Sequence, residues 1–177
     1  MLNPELHQKI QESTAHIASK AVNSQYILSN PDLLPDFFKI VFSTLDKNHH
    51  KACWILELIL EKDLHLIFSH LDQFCKTLPL YTNYSSLRSI SKICMFLSLH
   101  ASLNEKQEKL LIESSYDWLI DPNGKVATKV YAMRTLYQMG KKNAEIHANL
   151  ARILTDDYIK FSAAYKAAAR EIIKKIA

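Results

Sequence analysis

"HHKACWILELIL", residues 49 to 60, sets a small residue, Ala52, four positions ahead of Leu56 and seven ahead of Ile59. Positions three or four apart share one face of a helix, so the stretch reads as a helix carrying a closely packed stripe. The arrangement returns. Ser91 precedes Met95, Ala132 precedes Leu136 and Ala168 precedes Ile172, with spacings of 39, 41 and 36 residues from one small residue to the next. A small side chain lets the helix axis approach its neighbour, and the large one a turn later fills the space this opens. One helical hairpin cannot bury such a stripe alone, whereas stacked hairpins can. A period near forty residues is therefore the mark of a helical-hairpin repeat.

Working outward, the punctuation of the chain gives about eight or nine helices. Asn30 followed by Pro31 predicts a helix running towards Leu45, and the opening stretch predicts the next over residues 51 to 61. Asp63 caps a helix towards Thr77 that Pro79 stops, and a long helix begins near Asn83. Asn104 and Gln107 form a capping box at the head of "EKLLIESSYDWLI". "DPNG" at 121 to 124 is a turn, after which Lys125 to Met139 is helical, with Gly140 placed for a left-handed cap. Segments from Ala144 to Leu154 and from Tyr158 to Ile176 complete the set. The expected fold class is all-α, an α-α superhelix of stacked hairpins forming one domain over 1–177. Residues 1–29 are its N-terminal capping helix region with the stripe Leu6, Ile10, Ile17 and Val22; 30–156 hold the stacked pairs; and 157–177 form a C-terminal capping helix with the stripe Phe161, Tyr165, Ala168 and Ile172. The expected core includes Ala52, Leu56, Ile59, Met95, Leu99, Ala132, Leu136 and Met139.

Composition supports the helical reading and removes several function classes. Two glycines and five prolines in 177 residues leave little material for phosphate-cradling loops or tight β-hairpins. The chain is 48% hydrophobic and 23% charged, as an ordinary folded protein is. Its net charge of +4 is unevenly spread: 8 basic against 9 acidic side chains up to residue 88, and 14 against 9 beyond it. The polar start "MLNPELHQKIQEST" is not that of a signal peptide, and no run approaches the roughly eighteen apolar residues of a membrane span. A cytoplasmic protein, away from membranes, is expected. Cys53, Cys75 and Cys94 are odd in number and widely spaced, matching neither a disulfide framework nor a zinc half-site, and are expected to be reduced, packed thiols.

With "KACWILELIL", "RSISKICMFL" and "KVYAMRTLYQMG" in view, the chain resembles the HEAT and armadillo class of α-solenoids. Each helix carries a basic or histidine residue three positions before its small one: His49, Arg88 and Lys129. The resemblance covers most of residues 30 to 177 and implies stacked helix pairs with an extended concave surface. The chain is similar, more loosely, to short bacterial proteins of this fold, some named after adenylosuccinate lyase. The serine-rich signature loop of that superfamily has no counterpart here, and "YTNYSSLRS" at 81 to 89 is no substitute.

Candidate chemistry is thin. His49 and His50 are adjacent and point apart, and His65 and His70 are five positions apart, so neither pair has helical metal-ligand spacing. The histidines are expected to be solvated or capping. The cysteines lie in apolar segments that disfavour a thiolate. Asp156 with Asp157, and Glu61 with Asp63, sit at helix junctions where aspartate is expected as a cap. Asp117 beside Trp118, with Trp54 elsewhere, is similar to the Asp and tryptophans of HEAT-like alkylpurine DNA glycosylases, though this array is short and holds only two tryptophans. No catalytic residue, cofactor or metal is therefore expected, and the chain is read as a non-enzyme.

The basic residues carry more. Arg88, Lys92, Lys125, Lys129, Arg134, Lys166, Arg170 and Lys174 fall on the recurring second helices, several of them four apart on one face. Arg88, Lys92, Lys129 and Arg134, with Trp54 and Glu57, are the expected partner-binding residues. Phe96 and Tyr137 occupy the position of Glu57 in successive repeats. A protein partner held on the curved surface of an interaction scaffold is the leading expectation; an acidic partner or nucleic acid is the alternative.

Overall fold

A computed structural model describes residues 3–157 and 162–176 of the chain. Ten α-helices and three short 3-10 segments account for it, with no strand among the described residues. The chain divides into two compact units, Met1–Ile90 and Ser91–Ala177.

In the first unit, α1 (Pro4–Glu12) starts where Asn3 accepts the Leu6 N–H at 3.0 Å and Pro4 takes the first helical position. It buries Leu6 and Ile10. The next helix, α2 (Ile17–Ser29), turns Ser24 and Ile27 inward instead of the expected Ile17 and Val22, which are 64% and 69% exposed. Residues 1–29 thus hold two helices with separate stripes. A 3-10 turn over Pro31–Leu33 leads into α3 (Leu34–Phe42), which ends three residues before Leu45; Leu45 is fully solvated in the following turn. The opening stretch forms α4 (His49–Lys62), with Ala52, Leu56 and Ile59 all inaccessible to solvent and its sides packed on α2 and α3. Each fully buried Leu or Ile contributes about 1.5–3 kcal/mol. Asp63 caps as expected, accepting the His65 N–H at 3.0 Å, but the segment it starts is 3-10 over Leu64–His70 before it becomes α5 (Leu71–Thr77). Pro79 lies within a further 3-10 turn, Leu78–Leu80.

The long helix α6 (Tyr84–His100) contains the division between the units. Its register differs from expectation: Ser91, Ile93, Cys94 and Leu97 are buried, whereas Met95 is half-buried and Leu99 is 45% exposed. The capping box of α7 (Glu105–Ile120) is formed as read, Asn104 and Gln107 each accepting the other's N–H at 3.0 Å. The turn after it closes through the Gly124 N–H on the Asp121 carbonyl. In the second unit, α8 (Val126–Gly140) is the hub, packed on α7, on α9 (Ala144–Asp157) and on α10 (Ala163–Ile176), with Ala132 and Leu136 inaccessible. Tyr165, Ala168 and Ile172 are buried on α10 as expected; Tyr158 and Phe161 lie outside the described residues.

Gly140 is not a left-handed cap. Its φ is not positive, and it belongs to α8. It is needed for close approach: a Cβ there would fall 1.9 Å from Cδ2 of His147.

Candidate interaction surfaces

In the first unit, the candidates Trp54, Glu57 and Arg88 do come together, but two of them face inward. Trp54, half-buried, donates its indole N–H to the Ser85 carbonyl at 3.1 Å, and the His50 ring stands edge-on to it at 5.0 Å. Burial, helped by the neighbouring charges of His49 and Lys51, pushes His50 below the usual histidine range. Glu57 is a correction: it is 3% exposed and accepts from Ser89 Oγ at 2.5 Å and from the Arg88 guanidinium at 3.2 Å. A carboxylate removed from water loses several kcal/mol of hydration unless charge-assisted donors replace it, so these bonds pin the start of α6 to α4. Arg88, its side chain 45% exposed, is the member of this group that reaches solvent.

The second unit holds the other correction. Lys129, read as a surface cation, is fully buried, and its ammonium donates to the carbonyls of Leu119 at 2.6 Å and Asp121 at 2.5 Å. These carbonyls end α7, where the main chain runs out of its own donors and the helix dipole is negative. Lys129 is a cap, not a contact residue. The sequence holds part of the signal for this: three positions before a buried small residue lies towards the same face, where Lys129 and His49 are buried, although Arg88, three before Ser91, reaches solvent.

The other candidates of this unit remain at the surface. The Lys92 ammonium lies over the Phe96 ring, 5.5 Å from its centroid. Arg134 and Lys175 flank Glu171 at 3.7 and 2.6 Å, all three side chains about half-exposed. The Lys175 hydrogen bond and charge hold Glu171 below the usual carboxylate range, Arg134 adding to the effect. Beside them Tyr137 stacks nearly parallel on His147 at 5.3 Å, and the ammonium groups of Lys141 and Lys175 lie 5.3 and 5.9 Å from its ring centroid. Arg134, Tyr137, Glu171 and Lys175 border a groove of about 260 Å³ between α6, α8 and α10, floored by Met95, Leu99 and Ile172. Sequence reasoning missed it because Met95 and Leu99 were assigned to the core.

Asp117 is exposed while Trp118 is 7% exposed, so the two point in different directions from α7. All three cysteines are buried, and burial pushes the thiols of Cys53 and Cys75 up, the latter to about 12. No cluster of metal-ligating side chains occurs among the described residues, and no helix among them is long and apolar enough to cross a membrane. Histidines are more often packed than expected: His70 stacks on Phe38 at 4.1 Å, as His147 does on Tyr137.

A family model described as a HEAT repeat domain matches residues 2–176. No curated protein and no solved structure gives a significant match.

Proposed function

We propose that this chain, which belongs to the HEAT repeat domain family, is a non-enzymatic module that holds a protein partner on the exposed side chains of its second helices. HEAT repeats serve in general as scaffolds for protein interaction, because stacked helix pairs present extended surfaces by geometry alone. The observation that carries the reading to particular residues is that, with Lys129 set aside, cations on those helices stay half-exposed, among them Arg88 on α6, Arg134 on α8 and Lys175 on α10. With the basic excess of the C-terminal half, they favour an acidic partner.

The test is affinity capture from the native lysate with and without nuclease, followed by titration of the purified ligand against salt. A protein that survives nuclease, and whose affinity falls at least tenfold with Arg134→Glu and Lys175→Glu together, is the expected result, each substitution costing on the order of 1 kcal/mol. Loss on nuclease treatment, with log affinity falling steeply against log salt, identifies a nucleic-acid ligand instead.

A further inference from the structure

The groove of the second unit has a composition that specifies more than "a partner". Its floor of Met95, Leu99 and Ile172 is apolar, and Leu99 is 45% exposed although it lies on a helix with buried neighbours. Its volume of about 260 Å³ falls below the roughly 300–1,000 Å³ of small-molecule sites, and suits one or two side chains of a larger ligand. Two cations, Arg134 and Lys175, line the groove against one carboxylate, Glu171, and the ammonium of Lys141 lies close by, 5.3 Å from the ring centroid of the lining residue Tyr137. Lys141 has an aromatic face but no carboxylate beside it among the described residues. The lining is therefore short of negative charge by one, with Lys141 adding to the excess nearby, next to an apolar floor.

We propose that this groove seats an acidic amphipathic segment of the protein partner, its apolar side chain on Met95, Leu99 and Ile172 and its carboxylates on Arg134 and Lys175. The proposal rests on the interaction-module reading and narrows it to one site and one ligand chemistry. Apolar anchors in a groove supply affinity, while flanking charges fix register and partner choice. Glu171 holds the place of the incoming carboxylate in the free protein. It keeps the two cations from repelling one another and yields them when a better-placed acid arrives. Its removal should therefore strengthen binding, a sign that no merely structural role of Glu171 produces.

Random dodecapeptides displayed on phage, panned on the full chain, test this directly. The enriched sequences should interleave Leu, Ile or Phe with Asp and Glu. As soluble peptides they should bind about tenfold more weakly to Arg134→Glu and to Leu99→Asp, and about threefold more tightly to Glu171→Gln. Leu99, Arg134 and Glu171 are exposed, and the gain expected of Glu171→Gln cannot arise from misfolding. Enriched peptides indifferent to all three substitutions would overturn the groove while leaving the chain an interaction module. Basic or uncharged peptides that still need Leu99 would overturn the acidic ligand. Tighter binding of oligothymidine than of the selected peptides, lost with Arg134→Glu, would overturn it in favour of phosphate. An empty selection would also overturn it, and the capture experiment above then judges the broader reading separately.

Discussion

Glu57 and Lys129 are buried ions on second helices of the two units, opposite in sign and satisfied by opposite means. Glu57 in α4 is met by side chains 31 and 32 positions away, Arg88 and Ser89. Lys129 in α8 is met by main-chain carbonyls 10 and 8 positions back, at the end of the preceding helix. The difference decides how each tolerates change. Side-chain donors can turn to water or be replaced, and Arg88 is already half-exposed. Carbonyls at a helix end stay where the fold puts them.

The largest expected effect follows at Lys129. Lys129→Glu sets a carboxylate against the carbonyls of Leu119 and Asp121 in a site closed to water, and should destabilise the protein by more than about 4 kcal/mol. Lys129→Met, which keeps the aliphatic stem and loses the donors, should cost about 2–3 kcal/mol. Urea denaturation measures both. A variant Lys129→Glu that unfolds like the wild type would show that the end of α7 opens without harm, and the contrast with Glu57 would collapse.

Glu57 should give the next effect. Glu57→Ala leaves the Ser89 hydroxyl buried without its acceptor while Arg88 swings to solvent, for a cost of about 2 kcal/mol; Glu57→Gln, which keeps an acceptor, should cost about 1 kcal/mol. A double-mutant cycle with Arg88→Gln should return a coupling of about 0.5–2 kcal/mol. Zero coupling would mean that Arg88 adds nothing to how Glu57 is satisfied.

These two residues also mark where the sequence was legible and where it was not. Periodicity located the helices and the buried faces of α4 and α8, because Ala52 with Leu56 and Ala132 with Leu136 repeat a packing pattern that needs no knowledge of neighbours. The capping box of α7 was legible for the same reason, being a local arrangement of Asn104 and Gln107. Charge defeated the reading. Lys and Glu are taken as solvated by default, yet Lys129 lies three positions before Ala132, on its face, and its acceptors are set by where α7 happens to end. The groove was hidden by the converse error at Leu99: an apolar residue at a core spacing is exposed because α6, α8 and α10 leave its end of the stripe uncovered. The 3-10 segment over Leu64–His70 escaped too, since nothing in its side-chain pattern separates it from α-helix, while Pro79 marked the stop of α5 but not the 3-10 turn over Leu78–Leu80.

A smaller effect tests packing by glycine, which the second unit uses and which has a calculable sign. Gly140→Ala would drive the His147 ring off Tyr137, forfeiting the Nε2 contact with the Tyr137 carbonyl at 2.8 Å and the stacking at 5.3 Å. Those losses, about 1–2 kcal/mol together, exceed the roughly 0.8–1 kcal/mol that alanine gains over glycine within a helix. Gly140→Ala should therefore destabilise by up to about 1 kcal/mol. In a His147→Ala background the overlap is gone, and the same substitution should stabilise. An unchanged sign in that background would show that His147 is not what requires the glycine.

The smallest effect returns to the first unit and to how each unit starts a helix. At the head of α7 the caps are the amides of Asn104 and Gln107, which do not titrate. Ahead of α4 the corresponding work falls to a carboxylate: Asp46 accepts the Asn48 N–H at 2.7 Å and meets His7 Nε2 at 3.2 Å. Partial burial pushes its carboxyl up, but the Asn48 hydrogen bond and the His7 contact prevail and hold it below the usual carboxylate range. A carboxylate depressed in the folded state contributes stability above its unfolded value of about 4, and loses it as pH falls through the folded value. The stability advantage of the wild type over Asp46→Asn should thus shrink between about pH 5 and about pH 3, while a Gln107→Glu control at the α7 cap shifts its own stability without touching that difference. Chemical denaturation across that window measures it. A gap that stays constant with pH would mean that the α4 corner uses Asp46 for its shape and not for its charge, making the two helix starts alike.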